Sequence, residues 1–259
     1  MKKASFDIFG NIALVKFPRG IKAKDKKLFA DKLLHDNKSV TTVLEKTRGF
    51  RGRLRKQETK WLAGEKTKEV LYRENGCVFR FNIDKTYFSP RLSNERKEIA
   101  QKIKKGDEVL VMFAGVAPYS IVIAKNSGAS KVVSVEINRE ANKYAKMNVE
   151  LNGVKGKVEI IQGDVKRIAN KIKEKYDVIV MPRPQLKDSF LREAFILSKK
   201  GTRIFYYDFC KEEEIEQIVN RIKSEAKKSG RKIKILKIKK AGEIAPYKYR
   251  IRVDFVVIN

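Results

Sequence analysis

Residues 111–121 read VMFAGVAPYSI. Four apolar residues, 109–112, run into Phe113-Ala114-Gly115-Val116-Ala117-Pro118, and a helix-like pattern follows from Tyr119. The order is that of a strand, a tight turn and a helix start. Such a turn presents backbone N–H groups to a ligand, and small side chains at Ala114, Gly115 and Ala117 let that ligand come close. The usual glycine spacing is incomplete, and small residues at a strand–helix turn more often serve packing than binding.

Two further strand ends bear on the choice. Glu136 closes the apolar run KVVSVE about 20 residues beyond the glycine turn, where a carboxylate accepts both hydroxyls of a ribose. Its ordinary alternative is a solvated strand-end glutamate or a helix cap. The run IIQGDV places Gly163 and Asp164 on the same rim. There Asp164 either accepts from an adenine amino group or simply caps the helix that follows. Three such turns at successive strand ends, on one edge of a parallel sheet, point to an adenosine-type cofactor.

Working outward, apolar runs at 109–112, 131–135, 157–161, 177–181 and 202–207 alternate with helix-length segments such as 139–152 and 185–199. This rhythm predicts a parallel sheet with helices on both faces. The tail breaks it: a helix over 211–228 is followed by two strands, 232–239 and 249–258, that should pair antiparallel at one edge. The first 85 residues read as a smaller α+β module. Short strands are expected at 5–7, 12–17 and 41–44 around a helix at 24–34, and Asn75-Gly76 predicts a hairpin between 71–72 and 78–83. A helix over 93–104 then leads into the sheet. The expected division is 1–86, a module for RNA binding and substrate positioning, and 87–259, the cofactor-binding domain.

Composition narrows the partners. Among 259 residues, 60 Lys+Arg against 31 Asp+Glu give a formal charge of +29, which favours a polyanion. No apolar run approaches the roughly 18–20 residues a membrane span needs. The opening MKKASFDIFG has charge but no apolar core, so no signal peptide is expected. Two isolated cysteines, Cys77 and Cys210, and the single His35 supply neither a disulfide framework nor a metal site. A cytoplasmic monomer without a metal is the expectation.

Several strings now carry a family likeness: FSPRLSNER (88–96), MFAGVAPYSI, VEIN and IIQGD, with RENGCVF (73–79), WLAGEKT (61–67), FYYDF and IAPYKYRIRVDF. Together they resemble the archaeal and eukaryotic tRNA (guanine-37, N1)-methyltransferases over nearly the whole chain from Ser5. The likeness begins where the middle domain of many archaeal members begins. Their small N-terminal domain, which supports recognition of the tRNA outer corner, is therefore not expected in this sequence.

The resemblance implies a class I, Rossmann-like methyltransferase fold, S-adenosyl-L-methionine as donor, and the anticodon loop of tRNA as partner. It implies Phe113, Ala114, Gly115, Val116, Ala117, Glu136, Ile137, Asp164 and Pro182 around the cofactor. Glu95 matches the family's general base, and Arg55 the arginine at the guanine carbonyl oxygen. That pairing makes chemical sense. Guanine N1 is poorly nucleophilic until its proton leaves; a carboxylate takes the proton while a cation steadies the charge growing on the oxygen. The ordinary alternatives are an ion pair of Glu95 with Arg91 and a generic phosphate contact for Arg55. Arg91, Arg96, Tyr87, Arg183, Pro184 and Lys187 are the expected substrate-side residues, with core packing the commoner fate of Tyr87, Phe88 and Tyr119.

Three positions depart from the family pattern. Val111 stands where most relatives have Asp and Ala117 where they have Gly, which removes an acceptor and adds a methyl near the ligand. Pro182 stands where relatives have an Asn that helps hold the guanine; proline offers no side-chain amide. The Pro-x-Pro variant resembles a bifunctional archaeal subgroup that also methylates carbon 7 of the tricyclic wyosine precursor imG-14. Two other readings stay open: an aminocarboxypropyl transferase of the wyosine pathway, and a non-catalytic RNA-binding protein with a decayed cofactor site.

Overall fold

A computed structural model describes residues 4–259; the first three residues of the charged N-terminal stretch lie outside the described residues. The chain opens with a four-stranded sheet. Strands β1 (Ser5–Phe9) and β2 (Ile12–Lys16) are antiparallel, α1 (Ala23–Asp36) crosses over, and β3 (Thr42–Arg51) returns parallel to β2. Strand β4 (Lys56–Gly64) then pairs antiparallel with β3. Side chains alternate along β2, so Ala13 and Val15 pack under α1, whereas Ile12 and Leu14 face the rest of the molecule. The sequence pattern predicts no element at β4. Its residues, KQETKWLAG, are mostly polar, and its pairing with β3 is broken by register shifts, so no clean two-residue period survives.

Strands β5 (Glu69–Glu74) and β6 (Cys77–Asn82) form a separate hairpin. Asn75 and Gly76 have φ of 49° and 71°, the left-handed pair that the Asn-Gly signal demands. The helix expected at 93–104 appears as α2 (Ser93–Lys102), entered through a single 3₁₀ turn at Pro90–Leu92.

The remainder alternates as the sequence predicts: β7 (Glu108–Met112), α3 (Pro118–Asn126), β8 (Lys131–Glu136), α4 (Arg139–Leu151), β9 (Val158–Gln162), α5 (Val165–Ile168), β10 (Tyr176–Met181), α6 (Leu191–Ile196), β11 (Ser198–Lys211), α7 (Ile215–Lys228), β12 (Ile233–Ala245) and β13 (Lys248–Val257). The sheet order is β12-β13-β11-β10-β7-β8-β9. Its five central and outer strands run parallel, and the β12–β13 hairpin closes one edge antiparallel. Alternation sorts the core into two faces. Val109, Val111, Val178, Val180 and Phe205 lie on one, and Leu110, Met112, Ile179, Met181 and Ile204 on the other. Each fully buried aliphatic side chain contributes about 1.5–3 kcal/mol.

The helix expected over 185–199 shrinks to α6. Arg183 draws the carbonyls of Leu186 and Asp188 to its guanidinium, and Phe190 sits at φ 56°, so the backbone before Leu191 cannot join a helical ladder.

Two sets of contacts away from the strand ends help tie the opening module to the sheet. The first is a shared core in which Phe9, Leu44, Val70 and Phe81 cluster with Val109 and Val111. The second is a pair of side-chain amides, one on α4 and one at its C-terminal cap. Asn152 exchanges hydrogen bonds with the N–H and C=O of Val78 at 2.9 and 2.7 Å, and Asn148 does the same with Arg80 at 2.7 and 3.1 Å. No helix among the described residues is long and apolar enough to cross a membrane. Among them, too, no cluster of His, Cys, Asp and Glu is placed to hold a metal ion.

Candidate active site

A cleft opens at the carboxyl ends of β7, β8, β9 and β10, roofed by the segment between β3 and β4. Its floor is the quoted turn. Phe113, Gly115 and Ala117 take φ of 58°, 59° and 65°, an alternation of left-handed residues that folds the backbone back on itself. Two of the three carry a side chain and so bear a cost of about 1–2 kcal/mol each. Glu136 holds the turn in place. One carboxylate oxygen accepts the Gly115 N–H at 2.8 Å and the other the Asn138 N–H at 2.7 Å. Burial raises its pKa, against the lowering effect of those N–H groups.

Phe113, Ala114, Gly115, Glu136 and Ile137 all line the cleft. Val116 and Ala117, expected beside them, do not: both are fully buried in the core. The Ala117 methyl therefore does not obstruct the ligand; it caps α3 in a strained conformation just ahead of Pro118. Val111 is likewise a core residue away from the cleft wall.

At the third strand end, Asp164 lines the cleft and caps the helix that follows. One oxygen accepts the Lys166 N–H at 3.1 Å as the cap of α5, and the other pairs with Arg53 at 2.8 Å. Burial would raise the Asp164 carboxyl, but the Arg53 hydrogen bond and the Lys166 N–H leave its pKa lowered. Arg53 reaches across from the β3–β4 segment, whose Leu54 carbonyl accepts from the Asn138 side chain at 3.1 Å; the same amide also donates to the Lys85 carbonyl beyond β6 at 2.8 Å. Arg55 follows at φ 52°, its guanidinium carbon 4.8 Å from the centre of the Tyr87 ring and its buried Nε without a partner. Arg250 from β13 approaches the Tyr87 hydroxyl at 3.4 Å. Burial alone would raise that phenol, yet Arg250 and Arg55 bring it below its usual range.

The Glu95–Arg96 pair divides. Arg96 lines the cleft but its guanidinium is bound to both oxygens of buried Glu74 and to the Ser89 carbonyl. It is a clamp on the β5–β6 hairpin rather than a free phosphate ligand. Glu95 does not line the cleft. It is 5% exposed, with one oxygen on Lys239 and the other on Arg252 at 2.6 Å. The same second oxygen accepts the Tyr207 hydroxyl at 3.1 Å, and Tyr207 does line the cleft. Glu95 thus stands one side chain behind the wall. The alternative pairing with Arg91 is absent: Arg91 is exposed and pairs with Asp7 at 2.7 Å, outside the cleft.

At the fourth strand end, Pro182, Arg183 and Pro184 line the cleft, whereas Lys187 is exposed and does not. The Arg183 N–H bonds the Met181 carbonyl at 2.7 Å, so Pro182 sits at the apex of a three-residue turn. Arg183 is 2% exposed and spends its terminal nitrogens on Asp208, at 2.5 Å, and on loop carbonyls, leaving only its Nε unpartnered. Phe88, stacked on Phe81 at 4.7 Å, is core. Sequence reasoning does not reach Arg53, Asn138, Tyr207 or Arg250. Three of these, Asn138, Tyr207 and Arg250, lie inside the quoted strings VEIN, FYYDF and IAPYKYRIRVDF.

The cleft's residues suit an adenosyl group: carboxylates at Glu136 and Asp164, apolar walls from Phe113 and Ile137, and the buried, unpartnered hydroxyl of Tyr119. A parallel sheet edged by an antiparallel hairpin, with such a cleft at its strand ends, defines the class of Rossmann-like methyltransferases. Residues 70–236 match the model of the TRM5/TYW2 methyltransferase domain, and the chain belongs to that family. It is 36% identical over 254 residues to the tRNA (guanine(37)-N(1))-methyltransferase Trm5b of Pyrococcus abyssi, covering 98% of this chain and 74% of that protein. The crystal structure of that Trm5b superimposes with a TM-score of 0.88 over 98% of this chain and 75% of the other. The tRNA (guanine(37)-N(1))/4-demethylwyosine(37)-methyltransferase Taw22 of Nanoarchaeum equitans is 34% identical, covering 98% of this chain and all of that one. Trm5 of Methanocaldococcus jannaschii, solved in complex with adenosine, has a TM-score of 0.84 at 26% identity, over 98% of this chain and 74% of its own.

Proposed function

We propose that this protein transfers a methyl group from S-adenosylmethionine to N1 of guanosine 37 in tRNA. The observation that carries the reading is the convergence of Glu136, Arg55 and Tyr207 on one cleft. The cofactor supplies an electrophilic methyl on a sulfonium. Glu136 is assigned to the ribose hydroxyls and Asp164 to the adenine amino group, with Gly115 and Ile137 lining their seat. Arg55 is assigned to the guanine carbonyl oxygen, because its Nε has no partner among the described residues and its guanidinium is held against Tyr87. Glu95 is assigned as the final acceptor of the N1 proton. The excess of positive charge draws in the RNA backbone.

Labelled methyl donor offered with tRNAs carrying G or A at position 37 tests the reading. Only the G form should be labelled, and mass spectrometry of the nucleoside should show N1-methylguanosine. An aminocarboxypropyl adduct, or no transfer at all, would favour the two competing readings.

A second activity, on the tricyclic wyosine precursor, is favoured by one feature: at the fourth strand end the cleft meets the ring of Pro182, where relatives present an amide. A wall without an obligatory hydrogen-bond donor tolerates an enlarged base. The similarity to Taw22 supports the same idea. Methylation of tRNA bearing that precursor is the test, and absence of product ends it.

A further inference from the structure

Glu95 poses a geometric problem for any reaction in the cleft, because it is not in it. The carboxylates that do line the cleft, Glu136 and Asp164, serve the cofactor end, where each already accepts backbone N–H groups. Tyr87 is exposed to the cleft, but its hydroxyl faces Arg250 and no carboxylate. Three cleft-lining side chains touch a buried carboxylate: Arg96 on Glu74 and Arg183 on Asp208 are permanent cations that cannot pass a proton on, whereas Tyr207 reaches Glu95 through a hydroxyl. Tyr207 is 1% exposed, stands beside Pro182 in the register that pairs Met181 with Tyr206, and donates its hydroxyl to Glu95 at 3.1 Å. Tyr119, whose ring centre is 6.1 Å from that of Tyr207, places its own buried hydroxyl nearby without a hydrogen-bond partner.

We propose that Tyr207 is the proton relay between the substrate nitrogen in the cleft and Glu95 behind the wall. The proposal rests on the methyl-transfer reading above. The N1–H bond of guanine breaks toward the Tyr207 phenol oxygen while the phenol's own proton passes along its existing hydrogen bond to Glu95 Oε2. The nitrogen lone pair so released forms the N–CH₃ bond, and the S–CH₃ bond breaks with its electrons going to sulfur. One positive sulfonium and one negative carboxylate become two neutral groups. Tyr207 ends as it began, a neutral phenol. Its pKa is raised well above the ordinary phenol value, by burial first and then by the Tyr119 and Glu95 beside it, so it enters the step as a proton donor. The charged and titratable groups that face it are Glu95, Tyr119 and Arg252.

The test has a kinetic and an equilibrium arm. In single-turnover methylation of tRNA with G37, Tyr207→Phe should be slower by about 100-fold or more. The wild-type rate should vary with deuterium content along a bowed curve, the sign of two protons moving together; in the variant that curve should become linear. The second arm replaces Tyr207 with 3-fluorotyrosine, which keeps the hydroxyl and the shape, and needs no methyl donor. Its ¹⁹F resonance should move further with an anticodon stem-loop bearing guanosine 37 than with one bearing N1-methylguanosine 37, which has no N1 proton to share. A phenylalanine variant with the wild-type rate and an unchanged curve would overturn the relay, as would equal ¹⁹F shifts with the two stem-loops. If Tyr207→Phe fails to fold, the ¹⁹F arm decides alone. Wild-type protein that never makes N1-methylguanosine would overturn the parent reading, whereas active wild type with an equally active variant overturns the relay only.

Discussion

Glu95 and Arg96 are adjacent on α2, yet they serve opposite ends of the molecule. Arg96 turns toward the opening module and locks the β5–β6 hairpin through Glu74. Glu95 turns toward the closing edge of the sheet, into a cluster with Lys239, Arg252, Glu98 and Asp254. One residue step on a helix is a rotation of about 100°, enough to send two letters of one motif into two charge networks. The hairpin clamp is a closed pair: Arg96 lines the cleft, but its guanidinium is spent on both Glu74 oxygens. The sheet-edge cluster opens to the cleft through Tyr207 and to solvent through Lys239, whose side chain is 32% exposed. Closed pairs hold structure, and clusters with two exits can also carry protons.

Removing the hub of the second network should cost most. Arg252→Met leaves Glu95, Glu98 and Asp254 without their shared cation, and about 3–5 kcal/mol of stability should be lost in denaturant unfolding. A loss under 1 kcal/mol would mean that the cluster is not held as described. Next comes Glu95→Gln, which keeps the shape but cannot store a proton. Methylation should fall by about 100-fold with cofactor affinity unchanged, and an unchanged rate would remove Glu95 from the chemistry. On the other side of α2, Glu74→Gln should lower stability by about 1.5–3 kcal/mol and leave the single-turnover rate of the folded fraction alone. A slowed step there would erase the distinction between the two networks.

Acid titration sharpens the contrast further. Burial would raise the Glu98 carboxyl, but hydrogen bonds from Arg252 and Lys239 bring its pKa down to about 2. Its folded pKa lies below the unfolded one, so its stabilisation is fully present above about pH 4.5 and fades as pH falls toward 2. Glu98→Gln should therefore flatten the loss of stability across that window. The smallest effect is expected at the rim. Arg53 is exposed and its pair with Asp164 contributes under about 1 kcal/mol. Arg53→Ala should leave cofactor binding within about fivefold of wild type in calorimetric titration, on the tighter side if Arg53 competes for the Asp164 oxygen.

The sheet was legible because its strands are short apolar runs at regular intervals. The rim of the cleft was legible because Gly115, Glu136 and Asp164 fall at three successive strand ends, which a parallel sheet brings to one edge. Strand β4 was not, since charged side chains and register shifts hide its period. The inward half of a family motif was illegible for a different reason. FSPRLSNER marks Glu95 and Arg96 equally, and nothing local says that Glu74 or Arg252, far away in sequence, will claim them. Ala117 and Val111 look in sequence like changes to the ligand site, but their side chains face the core. Tyr207 was not legible: it lies within a strand that runs on to Lys211, and its partner is 112 residues distant.

The two amides of α4 and its C-terminal cap have a consequence for how much length change this region tolerates. Four residues of helix advance about 6 Å, and two residues of strand about 6.6 Å. That near coincidence lets Asn148 and Asn152 meet Val78 and Arg80 together, as a third strand would. The helix therefore acts as a ruler laid along the hairpin. A single inserted residue on either side shifts one scale against the other and breaks both pairs at once, so insertions within 148–152 or 78–80 should be selected against more strongly than substitutions there.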